Sequence, residues 1–315
     1  MPVFPLPDHL RLKRGGGNAP HKPILLLAVL RAFDDGLISE NRIAPTAELI
    51  NLFNGYWAVL ARGTEFQRRF FLPFYHLGNE RSGLWKLHTL PGFQHALTRS
   101  NSVKSLGALL AFDAYAELRP DVFERWLNHE HRAEDRMLLM AAYFTGQPIP
   151  VQLPDHLQEL ERQIETDTPE AYVARQLRRV QEEEEEEQVL RSAAFKRKIP
   201  ELYGHRCAIT GLQVSSDRPA SLIDACHIAP WADSFDDTIS NGIALCPNMH
   251  RAFDRGLVGI ASDMTVLVAA DLRETESAYA IRPFAGRRLM LPVNERFHPR
   301  SEERRVGKEC PVLCR

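Results

Sequence analysis

The chain has 315 residues, of which 44% are hydrophobic and 25% charged, and its formal net charge is −2 at pH 7. This balance is typical of a globular protein, and no apolar stretch approaches the roughly 20 residues that a membrane-spanning helix needs. The N-terminus shows no basic stretch followed by an apolar one, and five scattered cysteines indicate no disulfide framework. We therefore expect a cytoplasmic protein of about two domains without a membrane partner.

The first half of the sequence predicts a mainly helical domain, residues 1–150, with a small sheet. Within residues 8–35 a basic, glycine-rich loop leads into a strongly apolar helix. The loop is either a flexible basic arm or a phosphate contact at the helix N-terminus. A second helix is predicted over Thr46–Arg62, and two short aromatic strands within Glu65–Leu87. Further helices are predicted at Ser105–Leu118, Asp121–His129 and Arg132–Phe144.

A different composition marks the middle of the chain. Residues 147–160 are rich in proline, and the helical pattern Glu170–Ala194 contains the acidic run Glu182–Glu187. Runs of like charge are usually solvated, so we interpret residues 151–198 as a spacer. The last residues, 301–315, have no helical or strand period and are predicted to be non-native or disordered.

Three polar residues stand out in the second half, which we expect to be a domain over residues 199–300. Its pattern is a strand over Ser221–Ile228, a loop, a second strand over Gly242–Cys246 and a helix that starts at Pro247. His227 lies on the first strand, Asn241 at the entrance to the second, and His250 one turn into the helix. A hairpin over Leu257–Ala270 and a possible last strand over Arg287–Phe297 follow.

These residues, with the sequence His-Ile-Ala-Pro at 227–230, resemble the HNH (ββα-metal) nucleases. The resemblance implies an α+β fold, metal-dependent hydrolysis of phosphodiesters, and three catalytic residues. His227 corresponds to the general base, Asn241 to the residue that orients the catalytic loop, and His250 to a metal ligand. A neutral imidazole suits the role of general base near pH 7.

The metal site departs from the family pattern. Many relatives carry Asp immediately before the base, where this chain has Cys226. Asp224 lies on the same strand face as Cys226, so we predict Asp224 and His250 as ligands of a divalent Mg, Mn, Ni or Zn ion. Relatives that hold a structural zinc have paired cysteines, whereas Cys207 is followed by Thr210, so no structural zinc is expected. Cys226 and Cys246 are interpreted as buried thiols.

The N-terminal half resembles the sulfur-binding domain of McrA-type phosphorothioate-dependent restriction enzymes. The resemblance rests on the stretches Ala19–Leu27 and Leu72–Leu87, with weaker support from residues 115–144. It implies recognition of a DNA backbone in which sulfur replaces a phosphate oxygen. The DNA-binding candidates named from these stretches are Arg68, Arg69, Tyr75, His76 and Tyr115.

Three functions are compatible with this sequence. The chain is a restriction endonuclease that reads sulfur-modified DNA, an HNH endonuclease that reads methylated or unmodified DNA, or a catalytically silent DNA-binding protein. The intact His227, Asn241 and His250 set argues against the silent protein, and the apolar, basic first domain favours sulfur over a methylated base. We therefore predict a modification-dependent, type IV-like restriction endonuclease that cuts phosphorothioated double-stranded DNA as a homodimer.

Overall fold

Two units make up the fold: one is Met1–Leu157 with Glu184–Leu190, the other Gln158–Glu183 with Arg191–Arg315. A computed structural model describes residues 6–13, 18–90, 105–179, 185–214 and 221–300. The predicted tail, 301–315, lies outside the described residues. Helices and two-stranded antiparallel sheets are present, which confirms the expected α+β class. None of the described helices has the length and apolarity needed to cross a membrane.

The bounds of the elements in the first half of the chain are as follows. Its helices are α1 (His21–Asp34), α2 (Ala47–Leu60), α3 (Phe71–His76), α4 (Leu106–Ala111), α5 (Pro120–Leu127) and α6 (His129–Tyr143). Its strands are β1 (Trp85–His88) and β2 (Tyr115–Leu118), which pair antiparallel.

The apolar helix α1 is the centre of the first unit. Its residues from Ile24 to Leu30 are all fully buried, because α2, α3 and α6 pack around it. A helix that is apolar on all sides is expected to be enclosed in this way. Thr46 caps α2 as its Oγ1 accepts a hydrogen bond from the Leu49 amide at 3.3 Å.

Two predictions for the first unit are wrong. The aromatic run at Phe71–His76 is a helix and not a strand, since Pro73 lies in its first turn, where the missing N–H is not needed. The helix predicted to reach Leu118 ends at Ala111. Asp113 then has a positive φ of 43°, and Tyr115–Leu118 alternates half-buried with buried residues, as a strand does.

The acidic run is not simply a solvated spacer. The carboxylate of Glu186 is buried and accepts a hydrogen bond from the Phe70 amide just before α3. The carboxylate of Glu185 accepts hydrogen bonds from the amides of Leu106 and Gly107 at the start of α4, the latter at 3.1 Å. These amides lack partners within their own helices, so the glutamates serve the first unit as caps.

The bounds of the remaining elements follow. The helices are α7 (His156–Thr166), α8 (Pro169–Arg179), α9 (Glu185–Leu202), α10 (Trp231–Ser234) and α11 (Pro247–Asp254). The strands are β3 (Asp224–His227), β4 (Gly242–Leu245), β5 (Val258–Ile260) and β6 (Val266–Val268).

A hairpin and one helix form the core of the second unit. Strands β3 and β4 pair antiparallel with His227 opposite Gly242, and α11 packs against both strands. Pro247 starts α11 as predicted, and Gly256, with a φ of 68°, follows its end. The predicted hairpin is confirmed as the β5–β6 pair. Residues 287–297 contribute a single bridge from Arg288 to Thr265 instead of the expected strand.

Candidate active site

His227 is the last residue of β3, and its ring contacts an aromatic ring on one face and a carboxylate at one nitrogen. The Phe195 ring of α9 lies parallel to it, with centroids 3.9 Å apart and an interplanar angle of 2°. Its Nε2 lies 2.8 Å from Oδ1 of Asp237. The side chain keeps 26% of its surface exposed, so the imidazole is accessible to solvent although its orientation is fixed.

Asp237 is a buried carboxylate with partners on both oxygens. Its side chain is 4% exposed, and Oδ2 lies 2.9 Å from Nε of Arg191 in α9. The hydroxyl of Tyr172 in α8 donates to the same oxygen at 3.3 Å. Burial and the neighbouring Asp237 charge raise the pKa of Tyr172, so this hydroxyl keeps its proton.

Asn241 connects the two ends of the loop between β3 and β4. Its Oδ1 accepts a hydrogen bond from the Ala229 amide at 2.8 Å. Its Nδ2 donates to the carbonyl oxygens of Ala229, at 3.0 Å, and Asp236, at 2.8 Å. Because Asn241 is 2% exposed, these contacts replace solvent and hold the residues around His227 in one conformation.

His250 of α11 lies between two carboxylates. Its Nδ1 is 3.2 Å from Oδ2 of Asp224 in β3, and its Nε2 is 3.4 Å from Oδ2 of Asp254, one helical turn later. The structure thus brings together the two residues predicted as metal ligands. Donor atoms of Cys226, His250 and Asp254 also lie within 4.8 Å of one another. Imidazole and carboxylate groups fit a divalent cation, and a thiolate would shift the preference towards zinc.

Cys207 and Cys246 form a buried thiol pair near the site. Thr210 contacts both: its amide donates to Sγ of Cys207 at 3.4 Å, and its Oγ1 lies 3.9 Å from Sγ of Cys246. The contact between the two thiols lowers the pKa of Cys207 and raises the pKa of Cys246. Cys226 and Cys246 are buried thiols, as predicted.

The DNA-binding candidates lie at two places in the first unit. Arg68 and Arg69 precede α3, where Arg68 pairs with Glu186 at 3.3 Å and Arg69 donates to Gln67 at 2.8 Å. Of the two candidates on α3, Tyr75 is buried and His76 exposed. Consecutive residues of a helix point in directions about 100° apart, so one of the two side chains is buried while the other is exposed.

Tyr115 lies apart from these residues along the chain, on β2. Its ring stacks on His88 of β1 with centroids 4.9 Å apart, and the guanidinium of Arg42 lies 3.8 Å from the ring centre. The indole nitrogen of Trp85 in β1 donates to the Phe74 carbonyl of α3 at 2.9 Å. The sheet and the helix that carry the candidates are therefore neighbours.

Sequence reasoning missed several residues around the two histidines. Asp254 could have been found, because it is four positions after His250 and therefore on the same helix face. Asp237, Arg191 and Phe195 carried no comparable signal, since their relation to His227 depends on how the helices pack.

Comparison with known proteins assigns the segment that holds this site. Residues 207–261 match the model of the HNH endonuclease family. No curated protein matches the sequence significantly.

Two solved structures are similar in part. The modification-dependent TagI restriction endonuclease shares 24% identity over 34% of this chain and 33% of its own, with a TM-score of 0.25. This chain thus spans about a third of the length of TagI. The type IV phosphorothioation-dependent restriction endonuclease ScoMcrA shares 12% identity over 78% of this chain and 82% of its own, with a TM-score of 0.34. The family match includes β3, β4 and α11, so the chain contains an HNH endonuclease domain.

Proposed function

We propose that this protein is a modification-dependent endonuclease that hydrolyses phosphodiester bonds of double-stranded DNA. The observation that carries the proposal is the β3–β4–α11 core. It holds a half-exposed imidazole, His227, on β3 and a second imidazole, His250, with a carboxylate at each nitrogen on α11. Hydrolysis needs an activated water molecule and a cation that stabilises charge at the phosphate. His227 is suited to activate the water, and His250 with its carboxylates is suited to bind the cation.

His227 acts as the general base in this proposal. A neutral imidazole accepts a proton from water near pH 7, and general base catalysis typically contributes 10²- to 10⁴-fold to a rate. The exposed part of the ring gives water and phosphate access. Asn241 does no bond-breaking chemistry and keeps the loop after His227 in place through its three hydrogen bonds.

We propose that His250 and Asp224 hold the divalent cation, as the sequence predicts. The cation, when bound, stabilises negative charge on the phosphate and on the leaving oxygen. A neutral imidazole offers one lone pair, so with a cation at Nδ1 the proton of His250 would be on Nε2, which faces Oδ2 of Asp254 at 3.4 Å. Two protein ligands leave positions for phosphate and water. A closed set that included Cys226 would instead suit a structural zinc.

The proposed target is phosphorothioated DNA, read by the first unit. Arg68, Arg69 and His76 supply cationic or polar groups, while the half-buried Tyr115 and the buried Tyr75 supply apolar groups. Contacts to phosphate alone do not distinguish sulfur from oxygen, because they depend on charge. Burial of a sulfur-sized apolar area at about 25 cal/mol per Å² gives on the order of 1 kcal/mol, or several-fold preference.

Cleavage and binding of one duplex sequence in three forms test this proposal. The forms are phosphorothioated, methylated and unmodified DNA, each assayed with a divalent cation across a salt series, with His227→Ala as the control for contaminating nuclease. We expect cleavage and tighter binding of the phosphorothioated duplex, with a preference that persists as salt lowers the total affinity. A preference for the methylated duplex would identify a methylated-base reader. Equal cleavage of all three would identify a nuclease without modification dependence, and cleavage of none would refute the nuclease assignment.

We further propose that a homodimer makes the double-strand break, because one HNH site cuts one strand at a time. Sedimentation in the presence of DNA tests this. A monomer that cuts both strands in one encounter would contradict it.

A further inference from the structure

The carboxylate of Asp237 connects the proposed general base, His227, to the buried guanidinium of Arg191. Its Oδ1 is 2.8 Å from Nε2 of His227, and its Oδ2 is 2.9 Å from Nε of Arg191 and 3.3 Å from the hydroxyl of Tyr172. All four residues belong to the second unit. No sequence pattern connects these four residues, and the proposed hydrolysis does not by itself explain why an acid is buried here.

Charge balance at Asp237 is supplied by Arg191. Both side chains are 4% exposed, and a buried carboxylate is tolerated when a cation compensates it. The guanidinium also lies 4.4 Å from the ring centre of Trp231, which fixes its position from another side. Because Arg191 already compensates the carboxylate, His227 does not have to carry a positive charge for Asp237 to be ionised.

The donor and acceptor capacities then assign the proton on His227. An ionised carboxylate only accepts hydrogen bonds, so Nε2 of His227 must be the donor in the 2.8 Å contact. A neutral imidazole has one N–H, and the lone pair is therefore on Nδ1. Among the described residues, no hydrogen bond is made to Nδ1 of His227. We propose that Asp237 is a positioning residue that fixes His227 as the Nε2–H tautomer and leaves Nδ1 as the basic nitrogen.

The parallel ring of Phe195 completes this arrangement. A lone pair on Nδ1 lies in the plane of the imidazole, and the stack at 3.9 Å and 2° fixes that plane. The hydrogen bond to Asp237 in the ring plane and the stack of Phe195 on the ring face together restrict rotation of the imidazole. A flip of 180° about the Cβ–Cγ bond would put Cε1 in the place of Nε2 and remove the hydrogen bond to Asp237.

The consequence for the reaction rests on the proposed function of His227 as the base. Nδ1 takes one proton from water, and the hydroxide so formed attacks phosphorus. The bond from phosphorus to the leaving oxygen breaks, its electron pair stays on that oxygen, and solvent protonates it. Nδ1 then releases its proton to solvent, which restores the neutral imidazole. The proton on Nε2 does not move, and Asp237 remains a carboxylate beside the transient imidazolium.

Asp237→Asn tests the proposal directly, because Arg191 determines the orientation of the new side-chain amide. The Arg191 guanidinium is a cation and the Tyr172 hydroxyl donates a hydrogen bond, so both favour the amide oxygen on their side. The amide NH₂ group then faces His227 and requires an acceptor at Nε2. The substitution is therefore expected to move the proton of His227 to Nδ1, which removes the basic lone pair without removing the histidine.

The measurement is imidazole ¹⁵N NMR of the full chain with labelled histidine at about pH 8, where an ordinary histidine is neutral. The chain has 12 histidines, and His227→Gln assigns the signal of interest. We expect wild-type His227 to show a protonated Nε2 and an unprotonated Nδ1, and Asp237→Asn to show the reverse. An Nδ1–H tautomer in the wild type overturns the proposal, and this outcome needs no variant of Asp237. An unchanged tautomer in a folded Asp237→Asn protein overturns it as well.

Cleavage kinetics supply a second readout. Asp237→Asn should lower kcat by about 10²- to 10⁴-fold, the range for loss of a general base or of its correct tautomer, with little change in DNA affinity. The matched control is Asp233→Asn, the same substitution at an exposed position of the same loop, which should retain wild-type kcat. Wild-type kcat in Asp237→Asn would overturn the positioning role. Absence of nuclease activity in the wild type, with the tautomers as expected, would refute the proposed function and leave the tautomer assignment intact.

Discussion

Gly242 of β4 lies directly opposite His227 of β3, and the space that a side chain would occupy at Gly242 is filled by α9. A Cβ atom there would collide with the end of Ile199 and lie 3.1 Å from Cε2 of Phe195. The same helix thus reaches over β4 to place Phe195 on the imidazole. The absence of a side chain at one position permits the stack that fixes the proposed base.

Gly242→Ala should therefore lower both stability and activity. Ile199 is fully buried and has no solvent into which it can move, so the added methyl group overpacks the interface, at a cost of about 1–3 kcal/mol. Urea unfolding measures the first effect and DNA cleavage under fully folding conditions the second. Gly107→Ala, in the exposed part of α4, is the control and should be neutral or slightly stabilising. Full activity in Gly242→Ala would show that the Phe195 stack is dispensable.

The carboxylates around His250 should differ in their effect on cation affinity. Loss of a ligand, Asp224→Ala, should raise the Kd for Mn²⁺ more than Asp254→Ala does. Loss of an orienting group usually weakens binding by about 10- to 100-fold. Isothermal titration of both variants, with His250→Ala as the reference for loss of the site, decides between them. The reverse order would assign the cation to the cluster of Cys226, His250 and Asp254.

Loss of either histidine should abolish cleavage for different reasons. His227→Ala removes the base and should leave cation and DNA binding nearly intact, whereas His250→Ala should also weaken cation binding. Single-turnover cleavage combined with binding measurements separates the two effects. Cleavage by His227→Ala within a few-fold of the wild-type rate would remove His227 from the chemistry.

Chelation should stop cleavage and leave the fold intact. A structural zinc would make stability depend on metal, because its binding energy is part of the folding energy. Relatives that hold a structural zinc have a cysteine at the position of Thr210, which here contacts the thiols of Cys207 and Cys246. We therefore expect equal melting temperatures with and without EDTA. A large drop in melting temperature would reveal a structural metal.

Acid should weaken the first unit through Asp135, whose side chain is fully buried. Burial raises the pKa of this carboxyl, but hydrogen bonds from His9, Arg125 and Trp126 outweigh it and hold the pKa well below the usual range. The folded protein therefore binds this proton less readily than the unfolded chain. The corresponding stability is present above about pH 4 and is lost as the pH falls below it.

Comparison with Asp135→Ala tests this linkage. The substitution should destabilise the folded state by about 3–5 kcal/mol at pH 7, because it leaves buried donors and a cation without their partner. The difference in the free energy of unfolding between Asp135→Ala and the wild type, measured by urea unfolding, should become smaller as the pH falls from 4 to 2. The control is Glu130→Ala, at an exposed position of α6, the helix that also contains Asp135. A difference that stays constant with pH would mean that Asp135 does not titrate as described.

Local sequence determined several elements of this protein and its nuclease motif. Pro247 starts one short helix, His250 lies one turn into it and Gly256 follows its end, while the apolar run of α1 has no polar face, so spacing alone predicted both helices. Asn241 before β4 and His227 at the end of β3 were likewise predicted, because a hairpin brings residues close in sequence to neighbouring positions.

Tertiary structure decided what surrounds those residues. Asp237, Arg191 and Phe195 meet His227 because α9 packs over β4, and no periodic pattern records a contact between elements so distant in the chain. The same reason explains why the sequence did not predict partners for Glu185 and Glu186 in the acidic run. Like charges are solvated when they lack partners, but Glu185 and Glu186 meet the free amides of two helix starts that lie far away in the sequence.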